Sequence, residues 1–137
     1  MIIVFDMDNT LADEMGASLR PGIMELLQTL KSEKHELKIW TNSKGERATS
    51  ILQEHKLKTY FSQFIYRKHY DPNDKEIRKD VRRVKSDFVI DDDPKEIQFV
   101  KSIGKDGFVI SSFKKSKKVK AEELDEIYKV IKSKSGF

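Results

Sequence analysis

Apolar residues recur along this chain in two rhythms. Short continuous runs, rich in β-branched and aromatic side chains, occur in IIVF at 2–5, in ELKIWTN with its strand over 37–41, in QFIYR at 63–67, in DFVID at 87–91 and in GFVIS at 107–111. Runs of this kind, without polar alternation, suit strands covered on both faces. Between them the spacing changes to that of a helix. Ile23, Leu26, Leu27 and Leu30 share one face of a first helix, with Pro21 in its first turn. Ala48, Ile51, Leu52 and His55 mark a second helix within 43–57, and Ile77, Val81 and Val84 a third over 71–84. A fourth runs over 93–104. Asp93 is its N-cap, Pro94 its first residue, Glu96 its capping-box partner and Gly104 its stop. Leu124, Ile127, Tyr128 and Ile131 face inward on a last helix.

Strands alternating with helices predict an α/β fold with a parallel sheet. At 137 residues the chain is read as one domain, 1–137, able to bury a core without a staple. The absence of cysteine excludes disulfides and thiolate metal sites and is compatible with a cytoplasmic location. No apolar run reaches the ~20 residues that span a bilayer, and the N-terminus lacks the pattern of a secretory signal, so no membrane role is expected. A formal charge of +4 admits anionic partners without requiring them. The lysine-rich FKKSKKVK at 113–120 reads as a solvated loop.

Ligands of open parallel sheets bind beyond the carboxyl ends of the strands. Strand one ends in Asp6, with Asp8 two residues on; strand two ends in Thr41 and Asn42; strand four ends in Asp91 and Asp92. Taken singly, each is an ordinary turn or cap residue. Together, carboxylates converging on one rim repel, and a hard divalent cation such as Mg²⁺ with oxygen ligands relieves that repulsion. His35, His55 and His69 lack ligand spacing and are expected at surface or partly buried positions. Trp40 is expected in the core. Arg67 and Tyr70 are candidates for the entrance.

These residues also resemble a family. FDMDNTLA matches the DxDx[TV] signature of the haloacid dehalogenase (HAD) superfamily of phosphotransferases, IWTN its second motif and FVIDDD its acidic fourth, with a lysine between for the third. Two branches are similar. Magnesium-dependent phosphatase-1 shares the paired Asp-Asp and an Arg-then-Tyr stretch like YRKHYDP. The small carboxyl-terminal-domain phosphatases share RPG after motif one and KDVRRV, but carry Asp-Asn where this chain has Asp91-Asp92.

The resemblance implies a Rossmann-like sheet of order 5-4-1-2-3 without a cap domain, and a Mg²⁺-dependent phosphomonoester hydrolase acting through an aspartyl-phosphate. Asp6 would be the nucleophile. Asp8 would be the general acid and base, lending its main-chain carbonyl to the metal, with Thr10 bracing its loop. Thr41, Asn42 and a lysine would hold the phosphoryl group. Lys75 is preferred to Lys79 for that lysine, because Lys79 lies opposite the inward Ile77. Asp92 would bind the metal directly, and Asp91 through water or as a positioning group.

The stretches after Leu11 and after Tyr66 are too short for caps, so the site is expected to be open. That suits a phosphoprotein, with a nucleic-acid 3′-phosphate as the alternative. A non-catalytic phosphate- or metal-binding module of receiver type is the competing class. The missing Asp at the end of strand three argues against it.

Overall fold

The computed structural model describes residues 1–70, 73, 85–115, 119, 120 and 122–135. The third expected helix, with Lys75 and Lys79, and the side chain of Tyr70 lie outside the described residues. In chain order the elements are β1 (Ile2–Phe5), α1 (Ile23–Ser32), β2 (Glu36–Trp40), α2 (Gly45–Glu54), β3 (Gln63–Ile65), α3 (Arg67–Tyr70), β4 (Phe88–Asp91), α4 (Pro94–Ser102), β5 (Asp106–Val109) and α5 (Glu122–Ser135). The sheet is parallel throughout, in the order β3-β2-β1-β4-β5. This is the expected order read from the other edge. Residues 6–22 join β1 to α1 and residues 66–87 lie between β3 and β4. Neither stretch is long enough to hold an inserted domain.

Successive residues of a strand face opposite sides of the sheet, and the two cores follow that alternation. Ile3, Phe5, Leu37, Ile39, Phe88 and Ile90 pack against the buried stripes of α1, α2 and α5. Val4, Trp40, Ile65 and Val89 pack on the other face against Ile97 and Val100 of α4. Trp40 is therefore core, as expected. Asp93 caps α4 as expected, its Oδ1 accepting the Lys95 amide at 2.9 Å. The Asp93 amide, which a capping box would give to Glu96, donates instead to Asp91 Oδ1 at 3.0 Å. Gly104 follows α4 with φ +82°, a conformation cheap only for glycine.

Three local expectations need correction. Helix α1 begins at Ile23 rather than around Pro21, because Gly22 stands before it in the left-handed region at φ 82° and breaks the helical path. His35 is fully buried, not partly exposed, and its Nδ1 lies 3.0 Å from the Met1 amino group. Burial, then the charge of that amino group, lowers the His35 pKa from its ordinary value. The lysine-rich run does not start as a free loop: the Phe113 amide donates to the Asn9 carbonyl at 2.7 Å and the Lys115 amide to the Glu14 carboxylate at 3.1 Å.

Arg20 ties this region together from inside. It is 2% exposed. Its Nε donates to the Thr10 carbonyl at 2.7 Å and its Nη2 to the carbonyls of Asn9 (2.8 Å) and Ser111. Glu123 of α5 lies 3.7 Å from Nη1 and also accepts from the amide and hydroxyl of Ser111. Burial lowers the Arg20 pKa, while Glu123 and then Asp92 act in the opposite direction. Replacing Arg20 by Met takes the side-chain donor from the Thr10 and Ser111 carbonyls and the cation from Glu123, while the Asn9 carbonyl keeps the Phe113 amide and Glu123 keeps Ser111. The expected cost is about 3–5 kcal/mol, a fall in Tm of roughly 10 °C by circular dichroism. A shift below a few degrees would contradict this role.

Candidate active site

The pairing register builds the site. Phe5 is opposite Ile90 in the β1–β4 ladder, and the Asp6 amide extends it by donating to the Ile90 carbonyl at 3.0 Å. One step further along each strand, Asp6 and Asp91 emerge side by side on the same face of the sheet. Asp92 follows. Asp6, Asp91 and Asp92 each present a carboxylate oxygen, and these three oxygens lie within 4.8 Å of one another. Three acidic oxygens at this separation form a hard, anionic donor set that a divalent cation would neutralise.

Each member is held in place. Thr10, fully buried, donates from Oγ1 to Asp6 Oδ2 at 3.2 Å. Thr10 thus ties Asp6 to the loop that carries Asp8. Asp91 is buried and fixed by the Asp93 amide. Asp92 is half-buried, and its Oδ2 accepts from Ser112 Oγ at 2.7 Å. Asp91 is thereby as much a member of the cluster as Asp92.

Strand β2 adds the opposite wall. The Thr41 amide donates to the Ile65 carbonyl at 3.0 Å, and the buried Thr41 hydroxyl oxygen accepts the Ser43 amide at 3.0 Å. This Thr41–Ser43 turn opens onto α2, whose N-terminus favours anions. Asp6, Asp8, Thr41, Asn42, Asp91, Asp92 and the start of α4 line one open cleft of about 420 Å³. All the candidates on β1, β2 and β4 therefore meet in one place. The lysine falls outside the described residues. Arg67 begins α3, with its amide on the Ser43 carbonyl at 3.3 Å.

Asp8 stands apart from the carboxylate cluster. Arg47 of α2 grips it with both ends of its guanidinium, Nη2 to Oδ1 at 2.9 Å and Nη1 to Oδ2 at 3.0 Å. Arg47 also donates to Ser43 Oγ at 3.0 Å and to the Glu14 carbonyl at 3.1 Å. The hydrogen bonds to Asp8 raise the Arg47 pKa above its ordinary value. The sequence pattern does not mark Arg47 or Ser112, and it marks Arg20 only as the first residue of RPG. A charged residue three positions into a helix looks like solvated surface, and only the fold brings Arg47 to a partner 39 residues away in sequence.

Comparison with known proteins bears on the family and the fold. Residues 1–136 match the family model of the NLI interacting factor-like phosphatases. No curated protein matches the sequence. Among solved structures, a HAD-superfamily hydrolase from Ehrlichia chaffeensis superposes with a TM-score of 0.67 at 19% identity, over 95% of this chain and 97% of its own. An uncharacterized protein from Listeria monocytogenes serotype 4b reaches 0.74 at 12% identity, over 100% and 99%. A chain of the Pnkp1/Rnl/Hen1 complex reaches 0.63 at 14% identity, over 81% of this chain and 46% of its own. At such identities the structures speak for the fold. The family match covers nearly the whole chain, which belongs to the NLI interacting factor-like phosphatases and carries the HAD phosphatase fold.

Proposed function

We propose that this phosphatase hydrolyses phosphate monoesters through an aspartyl-phosphate on Asp6, with Mg²⁺ as cofactor and a phosphoprotein as substrate. The observation that carries this reading is the approach of Asp6, Asp91 and Asp92 at the rim of a cleft whose far wall is Thr41 and Asn42. The donor set is all oxygen and acidic, which suits Mg²⁺. Asp6, Asp91, Asp92 and the main-chain carbonyl of Asp8 would hold the ion. When bound, it supplies positive charge that lets an anionic carboxylate meet an anionic phosphate.

The chain's own groups do the rest. The carboxylate of Asp6 attacks phosphorus while the ester P–O bond breaks. The leaving oxygen takes a proton from the Asp8 carboxyl. Water then attacks phosphorus, gives its proton to Asp8 and releases phosphate and free Asp6. Thr41 Oγ1 and the Asn42 amide steady the phosphoryl oxygens at the α2 N-terminus, and Lys75 is the residue proposed to supply the cationic group.

A phosphoprotein is favoured because no cap covers the cleft among the described residues, and because the chain resembles the capless protein phosphatases. The test is a panel of phosphopeptides, nucleotides, 3′-phosphorylated oligonucleotides and sugar phosphates with Mg²⁺, read at two salt concentrations. Phosphopeptides should turn over best, with weak salt dependence. Best turnover of oligonucleotides, falling steeply with salt, would overturn the substrate class. No turnover of any ester would overturn the activity.

A further inference from the structure

Among the described residues, Arg47 is an exposed cationic group next to the site that the hydrolysis just described does not use. Arg47 is bound to Asp8 through two charge-assisted hydrogen bonds, the geometry in which a guanidinium best recognises a carboxylate or a phosphate. It is not sealed in: its side chain is 42% exposed and that of Asp8, which lines the cleft, 31% exposed, so both are open to solvent. Its other contacts fix where the guanidinium sits. Ser43 Oγ links it to the loop after Thr41, and the Glu14 carbonyl to the flap after β1. It therefore stands beside Asp8, between the loop after Thr41 and the segment after β1.

Asp8 cannot serve both partners. While both its oxygens face Arg47, its carboxylate lies outside the cluster formed by Asp6, Asp91 and Asp92. Turning toward a leaving oxygen breaks the fork. That leaves a solvent-accessible guanidinium without its anion, and a second anion carried by the substrate would replace the lost hydrogen bonds.

We propose that Arg47 determines specificity by exchanging Asp8 for a second anionic group carried beside the scissile phosphate, so that the preferred substrate is a phosphopeptide with acidic flanking residues. This rests on Asp8 acting at the leaving oxygen. The surroundings favour a peptide over a nucleic-acid strand. The Glu14 carboxylate, held by the Lys115 amide, repels a single flanking carboxylate far less in total than the run of backbone phosphates a strand must lay along the site. The neighbouring Met15 is 70% exposed and offers an apolar contact to a peptide side chain.

The experiment compares kcat/KM for three substrates: a phosphoserine peptide flanked by glutamates, the same peptide flanked by glutamines, and a 3′-phosphorylated dinucleotide. Wild type should prefer the glutamate peptide by about tenfold, the low end for a charge-assisted contact near solvent. Arg47→Gln should bring the ratio of the two peptides to within about twofold of one, whatever the absolute rates, and Arg47→Lys should fall between. A wild-type ratio near one, or an unchanged ratio in Arg47→Gln, would overturn the assignment while leaving the phosphatase reading intact. If the dinucleotide were the best substrate and alone depended on Arg47, the peptide class would be overturned. Absence of turnover with all three would overturn the catalytic reading beneath it.

Discussion

Asp6→Asn lowers phosphatase turnover by roughly 10⁴-fold or more, the scale on which loss of a covalent nucleophile is felt. An amide neither attacks phosphorus nor carries the charge that a cation needs. The fold should survive, because what ties Asp6 to β4 is its main-chain amide on the Ile90 carbonyl. Thr10 Oγ1 can still donate to the side-chain oxygen of an asparagine, as it does to Asp6 Oδ2. Circular dichroism and melting near wild type, together with lost turnover, are the expected pair. Turnover within tenfold of wild type would remove Asp6 from the nucleophile's role.

The second large effect separates three adjacent aspartates by their work. Asp92→Asn should raise the Mg²⁺ concentration for half-maximal activity by about ten- to a hundredfold, at least the loss seen when the partners of metal ligands are removed. Its carboxylate belongs to the cluster, and the Ser112 contact aims it there. Asp93→Asn should shift that concentration by less than about twofold, since Asn caps a helix about as well as Asp and the Lys95 amide keeps an oxygen to bind. Asp91→Asn should fall between, because Asp91, one oxygen already committed to the Asp93 amide, is expected to act on the ion through water rather than as a direct ligand. If Asp93→Asn needed the most metal, the motif would be displaced by one residue.

Much of this was legible from local pattern. The strand runs, the helical stripes and the polar residues that end β1, β2 and β4 depend on neighbours in sequence, and parallel pairing then carries those ends to one edge. The Asp93 cap of α4 is local in the same way. The contacts that hold the site are not. Thr10 reaches Asp6 only because the turn after Met7 folds back, its Thr10 and Leu11 amides donating to the Met7 carbonyl. Arg20 donates to a carbonyl 91 residues away at Ser111, and Ser112 to Asp92 across 20. No periodicity marks such residues, and polar side chains in loops read as solvated until the fold encloses them. The buried His35 escaped for the same reason. It follows α1 in a short polar turn, yet lies against the start of β1.

The account stands or falls on whether phosphate passes through Asp6. Rapid acid quenching during turnover of an excess of phosphorylated substrate with Mg²⁺, followed by digestion and mass spectrometry, reads this directly. The predicted result is a hydroxylamine-sensitive phosphate on the peptide containing Asp6, formed within the first turnover and absent from Asp6→Asn. Steady release of phosphate with no acyl phosphate at any quench time, or a phosphate trapped on a different residue, would contradict it.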